Sequence, residues 1–244
     1  MEKVSKIIKE LEEFAPLSTM QKWDNSGWQI NLGIENTGKI LLTLDVTPST
    51  VNQAVKKHCD LILSHHPIFF TPLKTIETPY VIKAIQNNVQ IYSAHTNFDV
   101  AIGGVCEYLA EKCGFKELDT IFEFIKYKKF DEKQNFSKLI TTLKKIFNLS
   151  NIKVVNGKRK TYSSIAFCSG SGGEYIQDLE KNGIDVFITG DIKHHQALNA
   201  GKMTVIDLGH FNSEKFVVEI FENLLKDKNV EIITAVEKQP WELI

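Results

Sequence analysis

Cysteine is scarce: four residues (Cys59, Cys106, Cys113 and Cys168) with no CxxC pair and no spacing that builds a disulfide framework. That excludes a disulfide-stapled secreted scaffold and a thiolate zinc ribbon; the four read as reduced, mostly buried thiols. Charge of one sign is missing as well. The formal net charge of −1 excludes general affinity for nucleic acid through bulk charge. The stretches Lys126–Lys129 and Lys158–Lys160 are too short to alter that and read as solvated faces. No apolar run is long enough to span a membrane. The opening residues Met1-Glu2-Lys3-Val4-Ser5-Lys6 lead into a charged amphipathic helix and lack the apolar core of a signal peptide. These absences predict a soluble cytoplasmic protein. There is no short internal repeat and no Walker motif.

What is present is ordinary in amount and informative in order. Hydrophobic residues make up 43% of the 244 positions and charged residues 24%, enough for one large domain or two small ones. Apolar strand-like runs alternate with helical patterns, the mark of an α/β architecture. Residues Val4 to Phe14 repeat apolar positions at helical spacing. Lys39 to Val46 reads as a buried strand, and Thr47-Pro48 as an N-cap followed by proline in the first turn. Strands follow at Leu61–Leu63 and Val89–Ala94, with a helix from about Pro79 to Asn87 between them. Gly103-Gly104 opens a helix that Gly114 closes. From Phe115 to about Lys160 the pattern blurs into a Lys- and Phe-rich segment. It resumes with strands at Tyr162–Cys168, Ile184–Thr189 and Met203–Leu208, helices between them, and a last helix striped with Phe216, Ile220 and Leu224. Two α/β lobes built of βαβ units are expected: 1–115 with 205–244 as the lobe carrying the site, and 116–204 as the second.

Ionisable residues gather at the ends of these strands. His65 and His66 follow Leu61–Leu63; His95 and Asp99 follow Val89–Ala94; His210 and Glu214 follow Met203–Leu208. Open α/β sheets build their sites beyond the C-terminal ends of strands, where loops and helix starts converge. Adjacent residues on a regular strand face opposite ways, so His65 and His66 serve one site only if the strand has ended before them. Imidazoles and carboxylates together suit Zn, Mn, Fe, Co or Ni rather than a soft thiolate ion. Five or six such donors exceed what one catalytic zinc takes from protein and suit two ions held close together. Glu214 is expected in the first turn of the final helix, with Asn212 as its N-cap and His210 just ahead of it. His58 reads as a surface residue at a polar helix end, and His194-His195 lies beside another strand end. Ser169-Gly170-Ser171-Gly172-Gly173 reads either as a phosphate cradle or as a tight strand-to-helix connection.

In order along the chain, several segments together resemble one family. They are Trp23-Asp24-Asn25-Ser26-Gly27-Trp28-Gln29, Leu44-Asp45-Val46-Thr47, Ser64-His65-His66-Pro67, His95-Thr96-Asn97-Phe98-Asp99, Gly103-Gly104, Thr189-Gly190-Asp191 and Gly209-His210-Phe211-Asn212-Ser213-Glu214. The set resembles the GTP cyclohydrolase 1 type 2 homologues, the YbgI-like dinuclear-metal proteins, over nearly the whole chain. The resemblance implies five metal ligands. His66 and Asp99 would serve one ion and His65 and His210 the other, with Glu214 bridging. His95 then looks like a group that either backs the metal ligands or faces the substrate. Where the family often has Glu after Thr-Gly, this chain has Asp191. The family resemblance also implies a ring-shaped homohexamer.

The chemistry expected of such a centre is hydrolysis of a small-molecule nucleotide. In the GTP cyclohydrolase reaction, water attacks C8 of guanine, the imidazole ring opens and formate leaves, with His95 as general acid/base. Two other functions fit the same residues: a non-catalytic metal-binding scaffold or regulator, and a two-metal hydrolase of phosphoesters or damaged nucleotides.

Overall fold

A computed structural model of the chain describes residues 1–71 and 73–241. It forms two compact units, Met1–Gly104 with Val217–Ile244, and Val105–Phe216. Residues 105–115 and 205–216, expected in the first lobe, thus sit in the second unit. The reason is packing. Cys106, Leu109 and Ala110 of the helix Val105–Lys112 join the core of the second unit, and the strand Thr204–Asp207 is hydrogen-bonded inside its sheet. Residues 242–244, at the end of the expected first lobe, lie outside the described residues.

The first unit is built on a five-stranded sheet in the order Glu231–Thr234, Lys39–Thr43, Leu61–Ser64, Gln90–Ser93, Gly27–Ile30. The first four strands are parallel, and Gly27–Ile30 closes the edge antiparallel to Gln90–Ser93. Alternate side chains feed opposite faces. Leu41, Ile62 and Ile91 pack under the helices Pro48–Lys56 and Pro79–Gln86. Ile40, Leu42, Leu61, Leu63 and Tyr92 are buried on the other face, where the helices Val4–Phe14 and Val217–Leu225 lie. A parallel sheet covered on both faces explains why its strands read as continuous apolar runs. Thr47 caps the helix Pro48–Lys56 through a reciprocal pair of bonds with Thr50.

The second unit holds a six-stranded sheet in the order Asp119–Phe122, Ile125–Asn135, Thr161–Phe167, Val186–Thr189, Thr204–Asp207, Lys153–Val155. The three strands Thr161–Phe167, Val186–Thr189 and Thr204–Asp207 are parallel, their neighbours Ile125–Asn135 and Lys153–Val155 are antiparallel to them, and Asp119–Phe122 is antiparallel to Ile125–Asn135. Ile165, Phe167, Val186, Ile188 and Ile206 enter one core, with Leu139 and Leu143 of the helix Phe136–Phe147. Ala166, Phe187 and Val205 enter a second core with Ile176 and Leu179 of the helix Ile176–Lys181.

Candidate metal centre

In the first unit the strand Leu61–Ser64 ends one residue before the histidine pair, and the chain bends there through hydroxyl bonds. Ser64 and Ser93 face each other in register, their Oγ atoms 2.7 Å apart, and both donate to the carbonyl of His66. That turns both imidazoles toward one side: their ring centres are 5.1 Å apart, and that of His95 lies 5.2 and 5.4 Å from them. A donor nitrogen from each of His65, His66 and His95 lies within 4.8 Å of the other two. His95 sits just ahead of the short helix Thr96–Val100 and accepts the amide of Asp99 on its carbonyl, which places Asp99 one turn on, with its Oδ1 3.7 Å from His65 Nε2.

Each imidazole is anchored through its Nδ1. His65, fully buried, meets the carbonyl of Ala94 at 2.8 Å; a carbonyl only accepts, so Nδ1 carries the proton and Nε2 a lone pair. His66 Nδ1 lies 2.8 Å from Asp45 Oδ1, and His95 Nδ1 lies 2.8 Å from Asp24 Oδ1. Burial pushes the Asp24 carboxyl upward, but bonds from His95, Thr96 and Ser26 outweigh it and hold the group well below the usual carboxylate range.

The second unit carries a donor pair of its own, His210 and Glu214. Gly209, at φ +79°, turns the chain after the strand Thr204–Asp207 into the short helix His210–Glu214. This corrects the expected placement: Glu214 does not open the final helix, because that helix begins only at Val217. Asn212 is no N-cap either. It lies inside the short helix and donates to the Leu208 carbonyl, while Gly209 stands at the cap. The result brings His210 and Glu214 one turn apart on one face, with His210 Nε2 2.9 Å from Glu214 Oε2. His210 Nδ1 lies 2.9 Å from Asp191 Oδ2, so the residue that differs from the common family pattern still holds a ring.

The glycine-rich turn packs against this pair. A Cβ on Gly170 would lie 2.2 Å from Glu214 Oε1 and 3.4 Å from His210 Cε1. The amides of Gly170 and Gly172 donate to Ser213 and Thr189, so the turn spends these amide protons inside the protein. His194 and His195 are exposed on the helix His194–Leu198 and, among the described residues, join no donor cluster; His58 is exposed at φ +55°.

The donor set fits divalent cations. Glu214 Oε2 lies 2.9 Å from one nitrogen of His210 while Asp191 holds the other, an arrangement that a cation between ring and carboxylate would satisfy. Two donors roughly 2.1 Å from a shared ion stand about 3 Å apart. The sequence reading missed Asp24 and Asp45 as anchors. Asp45 follows the strand Lys39–Thr43, so the strand-end rule that singled out the histidines applies to it equally.

The protein of Clostridium perfringens called GTP cyclohydrolase 1 type 2 homolog is 31% identical, over 99% of this chain and 100% of its own. NIF3-like protein 1 of Drosophila melanogaster is 31% identical over 98% of this chain and 88% of its own. Among solved structures, reduced HcgD from Methanocaldococcus jannaschii superposes with a TM-score of 0.85 at 26% identity, covering 96% of this chain and 97% of that one. The family model described as Duf34/NIF3 (NGG1p interacting factor 3) matches residues 2–240, and the chain belongs to that family.

Proposed function

We propose that this protein is a dinuclear metal-dependent hydrolase of a purine nucleotide, converting GTP and water to formate and 7,8-dihydroneopterin triphosphate. The observation that carries the reading is the anchoring of four imidazoles by Nδ1, to Ala94, Asp45, Asp24 and Asp191. Histidines committed to metal binding or proton transfer are held this way, with the second nitrogen aimed and its protonation fixed.

The ligands in this reading are the five the family resemblance implies: His65, His66, Asp99, His210 and Glu214. Two bound divalent cations supply a water of lowered pKa and polarise the group under attack. The chain's own part is positional and protonic. Asp24, buried and ionised, accepts from His95 Nδ1 and leaves Nε2 to take a proton and return it as the ring opens. Asp45 holds His66 against rotation, and Gly170 leaves room for the Glu214 carboxylate.

By the same resemblance the protein works as a ring-shaped homohexamer, and its reduced thiols point to the cytoplasm. The four free, buried cysteines accord with that compartment, and no helix among the described residues is long and apolar enough to cross a membrane. The family's description as an interacting factor favours a second reading, a metal-binding scaffold without turnover. One experiment separates the two: load the protein with a divalent metal, measure its content, add GTP, and follow formate release and pterin fluorescence beside His66→Ala. Product in the wild type that disappears in the variant supports the hydrolase. Bound metal with no product above the variant refutes it and leaves the scaffold.

A further inference from the structure

Beside His95, on the first unit alone, lies a cavity of about 530 Å³ with Asp24 in its lining. Its walls are aromatic and exposed: Trp23 is 60% and Phe70 49% accessible, and Ile76 is open beside them. The rings of Trp23 and Phe70 are 6.2 Å apart with 37° between their planes. Each meets the His95 imidazole at 5.7 Å and nearly edge-on, at 73° and 70°. The three rings thus make a wedge with the imidazole across its floor. Asn25 fixes one wall by donating to the Phe69 carbonyl at 2.6 Å. At the mouth stands Lys22, exposed, with no ion pair or hydrogen bond among the described residues.

Exposed aromatic rings cost solvation unless something covers them, and clusters of this kind mark binding sites. A planar ring held between two others needs contacts of about 3.5 Å on each side. That is slightly more than the present spacing and within reach of a side-chain rotation by Phe70. An alkyl chain would gain burial there but no stacking. A heteroaromatic slab gains stacking on both, and its edge meets the imidazole. The cation at the mouth calls for negative charge on the same molecule.

We propose that Trp23 and Phe70 are the specificity residues of a subsite that stacks a planar heterocycle and presents its edge to His95, with Lys22 receiving an anionic tail. This deepens the hydrolase reading and rests on it only in taking His95 as the reactive end.

The test is equilibrium binding, by tryptophan fluorescence and calorimetry, on metal-loaded protein whose metal content is measured for every variant. The probes are GTP, ATP, neopterin and inorganic tripolyphosphate. Trp23→Ala and Phe70→Ala are expected to weaken GTP binding about 5- to 150-fold, the range for loss of one stacking partner. Trp23→Phe should restore most of the affinity, and tripolyphosphate should bind wild type and Trp23→Ala equally. Lys22→Gln should weaken GTP more than neopterin. Unchanged GTP affinity in both alanine variants overturns the proposal. So does a wild type that binds none of the three heterocycles, or alanine variants that change only the size of the oligomer. The hydrolase reading stands or falls separately. Stacking without formate keeps the subsite and removes the reaction, whereas turnover indifferent to Trp23→Ala keeps the reaction and removes the subsite.

Discussion

Asp24 shows how much one buried carboxylate sets here. It accepts from His95, from both the amide and the hydroxyl of Thr96, and from Ser26, with its side chain fully buried. Because its folded pKa lies below the ordinary value of 3.8, its stabilisation is complete above that value and drains away as pH falls below it. Asp24→Asn should therefore cost about 2–3 kcal/mol at pH 7, since hydrogen bonds to a buried charge are lost. It should also flatten the stability curve between about pH 4 and pH 2 relative to wild type. Denaturant melts across that range check both, and an equally steep acid loss in the variant would place the titrating group elsewhere. Metal content should be unchanged, because Asp24 anchors His95 and none of the five proposed ligands. His65, His66, His95, Asp99, His210 and Glu214 stood out in the sequence as candidates because ionisable residues gathered shortly after apolar strands are conspicuous. Asp24 was less so, because it precedes the strand Gly27–Ile30 and reaches His95 across 71 positions of chain.

At the scale of elements, the turn Ser169–Gly173 shows why spacing alone left two readings open. Glycines suit a phosphate cradle and a close backbone approach equally, and only the neighbour decides. Here the neighbour is Glu214. Gly170 has φ +59° and no room for a Cβ, whereas Gly183, at φ +73°, has nothing within 4 Å of one. Gly183→Ala should cost about 1 kcal/mol, the price of a left-handed alanine. Gly170→Ala should cost clearly more and weaken divalent metal binding about 10- to 100-fold by displacing the Glu214 carboxylate. Thermal melts and competition with a chromogenic chelator measure both; equal effects of the two variants would show that Glu214 is not held by that contact. The helices Val4–Phe14 and Pro48–Lys56 were readable from periodicity and from the Thr47-Pro48 cap. The strands Ile125–Asn135 and Glu231–Thr234 were not. Ile125–Asn135 is charged and half exposed along most of its length, and Glu231–Thr234 finds its partner only at Lys39–Thr43.

For the whole molecule, the second unit is one unbroken segment, whereas the first is assembled from both ends of the chain. A fragment of residues 105–216 has cores on both faces of its own sheet and should fold by itself with a cooperative melt. It contains His210 and Glu214, two of the five proposed ligands. Circular dichroism and thermal melts of the fragment test this, and a broad, non-cooperative melt would show that its cores depend on the rest of the chain.

By itself the sequence determined the α/β class, the strand ends where the chemistry gathers, and the nitrogen and oxygen character of the donors, because each is written in local pattern and residue type. Tertiary structure decided which carboxylate holds which imidazole. It also decided that Gly170 is spacing for Glu214, and that Trp23 and Phe70 frame His95. Those pairings join residues tens of positions apart, and no local propensity encodes a distance that exists only after the sheets have formed.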